Sequence, residues 1–66
     1  MAANVIQKRL AELKQVDTEV YYEALDKLNE NRHSIMAAVD SIRELIESEN
    51  ERRAMRGYST MIEVLF

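Results

Sequence analysis

The chain has 66 residues, with no cysteine, no proline, one glycine, one histidine and a formal net charge of -3. One domain at most fits this length, disulfides and thiolate metal sites are excluded, and the acidic balance disfavours general nucleic-acid binding. Hydrophobic residues make up 47% and charged residues 32%, a balance that suits amphipathic helices and not disorder. A core of this size supplies roughly 3–5 kcal/mol, so a chain without disulfides is expected to add stability by association. No apolar run approaches the roughly 18 residues of a membrane span, and the first residues do not read as a secretory signal, so a cytoplasmic location is expected.

The first arm opens with Asn4 and Gln7 in the form of a capping box. Val5, Ile6, Leu10, Leu13, Val16, Val20, Ala24, Leu25 and Leu28 then recur at three- and four-residue steps, which places them on one helical face. Asp17-Thr18 offers a restart, since both are good N-caps. Val16 carries the stripe across it, so one continuous helix is expected there.

Between Leu28 and Ile35 the stripe loses a full turn, through Asn29-Glu30-Asn31-Arg32-His33-Ser34. These are weak helix formers, and Ser34 can cap a second arm bearing Ile35, Ala38, Val39, Ile42, Leu45 and Ile46. The rival is a helix running through, with Asn31 as a polar position in a coiled-coil seam. After Ile46 the run Glu47-Ser48-Glu49-Asn50-Glu51-Arg52-Arg53 has no apolar residue, so the arm loses its buried face. Ser48 with Glu51 could cap a fresh helix; Arg56-Gly57 suits a left-handed helix end. The expected arms are 4–29 and 34–56.

The segment Tyr58-Ser59-Thr60-Met61-Ile62-Glu63-Val64-Leu65-Phe66 admits two conformations. As a helix, Tyr58, Met61, Ile62, Leu65 and Phe66 share a face; as a strand, Tyr58, Thr60, Ile62, Val64 and Phe66 do. A helix is favoured, because a lone strand would need another chain's sheet edge. Folded back, the segment would cover Ile6, Leu10 and Leu13; projecting, it would insert into a partner. Glu63-Val64-Leu65-Phe66 also matches four residues of the Leu-Glu-Val-Leu-Phe-Gln site of a picornaviral protease used in tag removal, with Ile62 in the first position and no glutamine after it.

Charge is arranged with basic ends around an acidic middle. In an antiparallel hairpin Lys8, Arg9, Arg52, Arg53 and Arg56 would share one pole, and two hairpins packed antiparallel would set each basic pole beside an acidic turn. The same pole could meet an anion or nucleic acid, although no aromatic residue is interleaved with its arginines.

Glu30 and His33 have the Glu-x-x-His form of carboxylate-bridged dimetal bundles, but both point away from the apolar stripe. Ser34 beside His33 lacks the orienting third group that nucleophilic catalysis needs, and no glycine-rich loop offers a phosphate cradle. Enzymatic activity, a cofactor and a small-molecule substrate are therefore not expected.

The expected architecture is all-α, an antiparallel helical hairpin over 1–57 with an apolar segment 58–66, dimerising into a four-helix bundle or docking on a larger protein. Leu10, Leu13, Val20, Leu28, Ile35, Ile42 and Ile46 are the candidates for self-association. Tyr22, Met61, Ile62, Leu65 and Phe66 are the candidates for a foreign protein partner. The expected function is a small regulatory, adaptor or assembly protein that occupies a partner's surface; the alternative is a nucleic-acid-binding regulator using the basic pole.

Overall fold

A computed structural model describes residues 3–66 as three helices, α1 (Ala3–Val16), α2 (Thr18–Glu30) and α3 (Ile35–Met55), with no strand among them. The body is 37 Å long and about half as wide, 18 × 17 Å. Its length is close to that of α3, which at 1.5 Å per residue spans about 31 Å.

The first arm is two helices and not one. Asp17 leaves the helical conformation at φ -155, ψ 107, and its side chain accepts the Val20 N–H as the N-cap of α2. The carboxylate supplies the partner that an interior helical carbonyl would otherwise provide, so the break costs little. Val16, expected to continue the stripe, sits at the exposed end of α1. At the chain's start α1 begins at Ala3, one residue before the expected cap Asn4, and the position before Ala3 lies outside the described residues.

The second break falls where the polar run weakens the helix. Asn31 caps the end of α2: its backbone N–H and its side-chain amide both donate to the Lys27 carbonyl. The same amide donates to the Ser41 hydroxyl at 3.3 Å, which fastens the turn to α3. Ser34, extended at φ -149, ψ 115, accepts the Ala37 N–H and starts α3. Asn31 therefore terminates a helix and does not occupy a coiled-coil seam.

No fresh helix begins at Ser48; α3 runs unbroken to Met55. It closes on Gly57, the one residue with positive φ among the described residues, at 82. The Tyr58 N–H donates to the Arg53 carbonyl and the Gly57 N–H to that of Ala54, the paired bonds of a Schellman motif.

The interior is one cluster. Ile6, Leu10 and Leu13 come from α1, Val20 and Ala24 from α2, Val39, Ile42 and Ile46 from α3, and Ile62 and Phe66 from the segment beyond Gly57. The principal helix–helix contacts are α1 with α2 and α2 with α3. Tyr21, Leu25, Leu28, Leu45 and Val64 pack around the cluster, partly buried.

Candidate functional site

The most distinctive part of the molecule is the face of α3 that carries residues 58–66. The face is continuous along Val39, Arg43, Ile46, Asn50 and Arg53, spaced by three or four residues. Val39 and Ile46 are apolar and buried, while Arg43, Asn50 and Arg53 are polar. These three polar side chains hold the segment by its main chain.

Asn50 accepts the Ile62 N–H at 2.8 Å and donates its amide to the Ile62 carbonyl at 3.1 Å. Arg43 donates from Nε at 3.0 Å and from Nη2 at 2.6 Å to the Phe66 carbonyl. Arg53 reaches the Thr60 carbonyl at 3.4 Å. As α3 is followed backwards from Arg53 through Asn50 to Arg43, the segment advances from Thr60 through Ile62 to Phe66, so it runs antiparallel to the helix.

The spacing requires an extended chain. Arg43 and Asn50 are about 10 Å apart along the helix axis. Four extended residues from Ile62 to Phe66 reach about 13 Å, whereas a helix would cover only about 6 Å. Burial alternates accordingly: Ile62 and Phe66 are buried, Val64 is half-buried, and Glu63 and Leu65 are exposed. The favoured helical reading is thus corrected. Leu65, which a helix would turn inward with Phe66, is 78% exposed. The period-two reading describes residues 62 to 66, although Tyr58 and Thr60 lie outside, exposed. No sheet edge is needed, because the side chains of α3 supply the donors and acceptors that a neighbouring strand would offer.

A second polar cluster braces this arrangement. Arg53 Nη2 donates to Asp17 Oδ2 at 2.7 Å, and its Nε lies 3.7 Å from Glu49 Oε1. Asp17 thereby uses one carboxylate oxygen to cap α2 and the other to hold the end of α3. Arg52 pairs with Glu49 at 3.4 Å and Arg9 with Glu12 at 3.3 Å. Three of the five cations expected at a basic pole are therefore in ion pairs, with Arg53 turned toward the α1–α2 junction. Lys8 and Arg56 are exposed and take part in no ion pair among the described residues.

Of the residues singled out for self-association, Leu10, Leu13, Val20, Ile42 and Ile46 are buried within the single chain, and Leu28 is half-buried. Ile35 is 44% exposed. Of those singled out for a partner, Ile62 and Phe66 lie in the chain's own core, Met61 is half-buried, and Tyr22 and Leu65 are exposed. Tyr21 is half-buried, 5.2 Å from the Tyr22 ring and beneath the Lys14 ammonium at 5.5 Å.

The sequence and the structure match no family model, no curated protein and no solved structure.

Sequence reasoning missed Arg43, Asn50, Arg53 and Asp17 as a set. It also missed Met36, which is 76% exposed beside Ile35 and Val39. Two shallow depressions meet at Arg43. One is lined by Ile35, Met36, Val39 and Asp40, and the other by Ile46, Glu47, Asn50, Ile62, Val64, Leu65 and Phe66. Together they form a largely apolar strip with the Arg43 guanidinium at its middle, 3.8 Å from Asp40, and with Glu47 and Asn50 also in its lining. The missing signal was available: Asn50 and Arg53 continue the three–four spacing of Val39 and Ile46 with polar residues.

Proposed function

We propose that the protein is a small protein–protein interaction module that acts by occupying a partner's surface. The observation that carries this reading is the strip around Arg43, where Ile35, Met36 and Leu65 remain outside although the core is closed. Exposed apolar residues gathered along one edge beside an arginine have the composition of a protein interface centre. Tyr22, at 58% exposure, is a separate apolar point on α2.

The regulatory, adaptor or assembly role expected from the sequence follows if the strip covers a site on a larger protein. Self-association is its other form, with Leu28 and Ile35 as the outer residues through which α2–α3 pairs would meet in a four-helix bundle. The nucleic-acid alternative has less support. Arg9, Arg52 and Arg53 are engaged by carboxylates, which leaves Lys8 and Arg56 to meet phosphate. Among the described residues no helix is long and apolar enough to cross a membrane.

The test is affinity capture with the full chain against the Met36→Glu, Leu65→Glu double variant, alongside light scattering over a range of concentrations. Both side chains are more than three-quarters exposed, so the double variant keeps its fold. Loss of a captured protein or of a dimer in the variant supports the reading. Unchanged capture contradicts it, and self-association that is unchanged in the variant contradicts the strip as the surface through which copies meet.

A further inference from the structure

The interface between α3 and residues 58–66 has the chemistry of a peptide-recognition groove. Its polar contacts all go from side chains of the helix to the main chain of the segment: Asn50 to Ile62, Arg43 to Phe66 and Arg53 to Thr60. Its apolar contacts come from two anchors four residues apart, Ile62 and Phe66, both buried. Main-chain bonds with pockets for alternate side chains are the pattern by which extended peptides are bound in β-augmentation, here with a helix in place of the sheet edge.

Nothing in these contacts depends on the covalent link between groove and ligand. That link, Gly57 to Thr60, is exposed throughout. A Cβ placed on Gly57 would meet no atom within 4 Å, so the hinge is not wedged into the body. Beyond the Schellman bonds the link's one hydrogen bond among the described residues is the long Arg53–Thr60 contact. Re-aiming it withdraws Ile62 and Phe66 from the cluster that also holds Leu13 and Ile42, and the same two residues of a second copy refill those places.

We propose that the groove formed by Arg43, Ile46, Asn50 and Arg53 also takes residues 58–66 of a second copy of this chain, giving a dimer by reciprocal exchange of the segment. This deepens the interaction-module reading and rests on it: it names the partner as the chain itself and the ligand as an extended Ile-x-Val-x-Phe stretch. The second copy is the occupant whose fit is already shown, since every hydrogen bond and both anchors are reproduced in trans. Intramolecular docking prevails in dilute solution, because a short link holds the segment at an effective concentration on the order of millimolar. Exchange competes as the protein concentration approaches that value.

The experiment uses full-length chains in sedimentation velocity. One variant, Arg43→Ala with Asn50→Ala, keeps an intact segment and loses the groove's polar contacts to Ile62 and Phe66. The other, Ile62→Asp, keeps the groove and loses an anchor. Each alone is expected to remain a monomer, and the mixture is expected to form a 1:1 complex of doubled mass. A mixture that stays monomeric while circular dichroism shows both variants helical overturns the proposal.

Should either variant unfold, the wild-type chain near millimolar concentration decides. A dimer that survives Met36→Glu, and whose transfer of a label between copies is slow, supports exchange; no dimer overturns it. A dimer lost on Met36→Glu but retained in Ile62→Asp also overturns exchange, while supporting the strip around Arg43 as the binding surface.

Discussion

The Asn50 side chain and the Ile62 backbone exchange two hydrogen bonds, N–H to Oδ1 at 2.8 Å and Nδ2 to carbonyl at 3.1 Å. A carboxamide has one acceptor and one donor set side by side, so it presents to a chain what a residue of a neighbouring strand would present. The pair explains two features together: a helix that gives up its apolar face after Ile46, and a strand-like segment with no sheet.

Asn50→Ala removes both bonds and leaves the Ile62 N–H and carbonyl without their partners. Unsatisfied groups of this kind cost about 1–3 kcal/mol, a large part of the stability of so small a chain. Asn50→Asp keeps an acceptor for the N–H and sets a carboxylate against the carbonyl, so it is expected to destabilise no less than alanine. Urea denaturation of the three proteins checks the order.

Ile62→Ala and Phe66→Ala each delete a buried side chain, with an expected loss of about 2–5 kcal/mol. Leu65→Ala, between them and exposed, is expected to change stability by less than about 0.5 kcal/mol. Thermal melts of the three variants test the alternation directly; equal losses at positions 65 and 66 would indicate a helical segment.

Asp17 can be separated into its two roles. Asp17→Asn keeps an oxygen for the Val20 N–H and weakens the contact to Arg53, whereas Asp17→Ala loses both. The alanine variant is expected to lose about 1–2 kcal/mol from the cap alone, and the asparagine variant less. If the two melt together, the contact to Arg53 and not the cap dominates at this junction.

Gly57→Ala places a side chain in a left-handed conformation, at φ 82, with an expected cost of about 1–2 kcal/mol. Open space around the position means that the cost is one of backbone conformation and not of collision. Gly57→Asn, which tolerates this region better, is expected to recover part of the loss in the same denaturation assay.

Much of the helical layout was legible from spacing and caps. Ser34 starts α3, Arg56-Gly57 ends it, and Ile6, Leu10, Leu13, Val39, Ile42 and Ile46 face inward, because these depend on periodicity and local hydrogen bonding. The break at Asp17 was present as a cap signal but was outweighed by the stripe. What decides it is the contact with Arg53, 36 residues along the chain, which no local window contains. The conformation of residues 58–66 was ambiguous for the same reason. Both periods fit the residues, and the choice lies with Asn50 and Arg43, whose spacing along α3 matches an extended chain. The basic pole was drawn for a two-arm hairpin; with the chain bent at Asp17, Arg53 turns inward to a carboxylate.

Amide hydrogen exchange by NMR on the unmodified chain tests the central claim most directly, with Ile62 compared to Glu63 and Leu65. The Ile62 N–H is expected to be protected close to the level of global unfolding, because it is bonded to Asn50 and belongs to a core residue. Glu63 and Leu65, exposed and without such a partner among the described residues, are expected to exchange far faster. An Ile62 amide exchanging at the rate of an unstructured peptide would mean that the segment is not part of the fold and that α3 carries no groove for it.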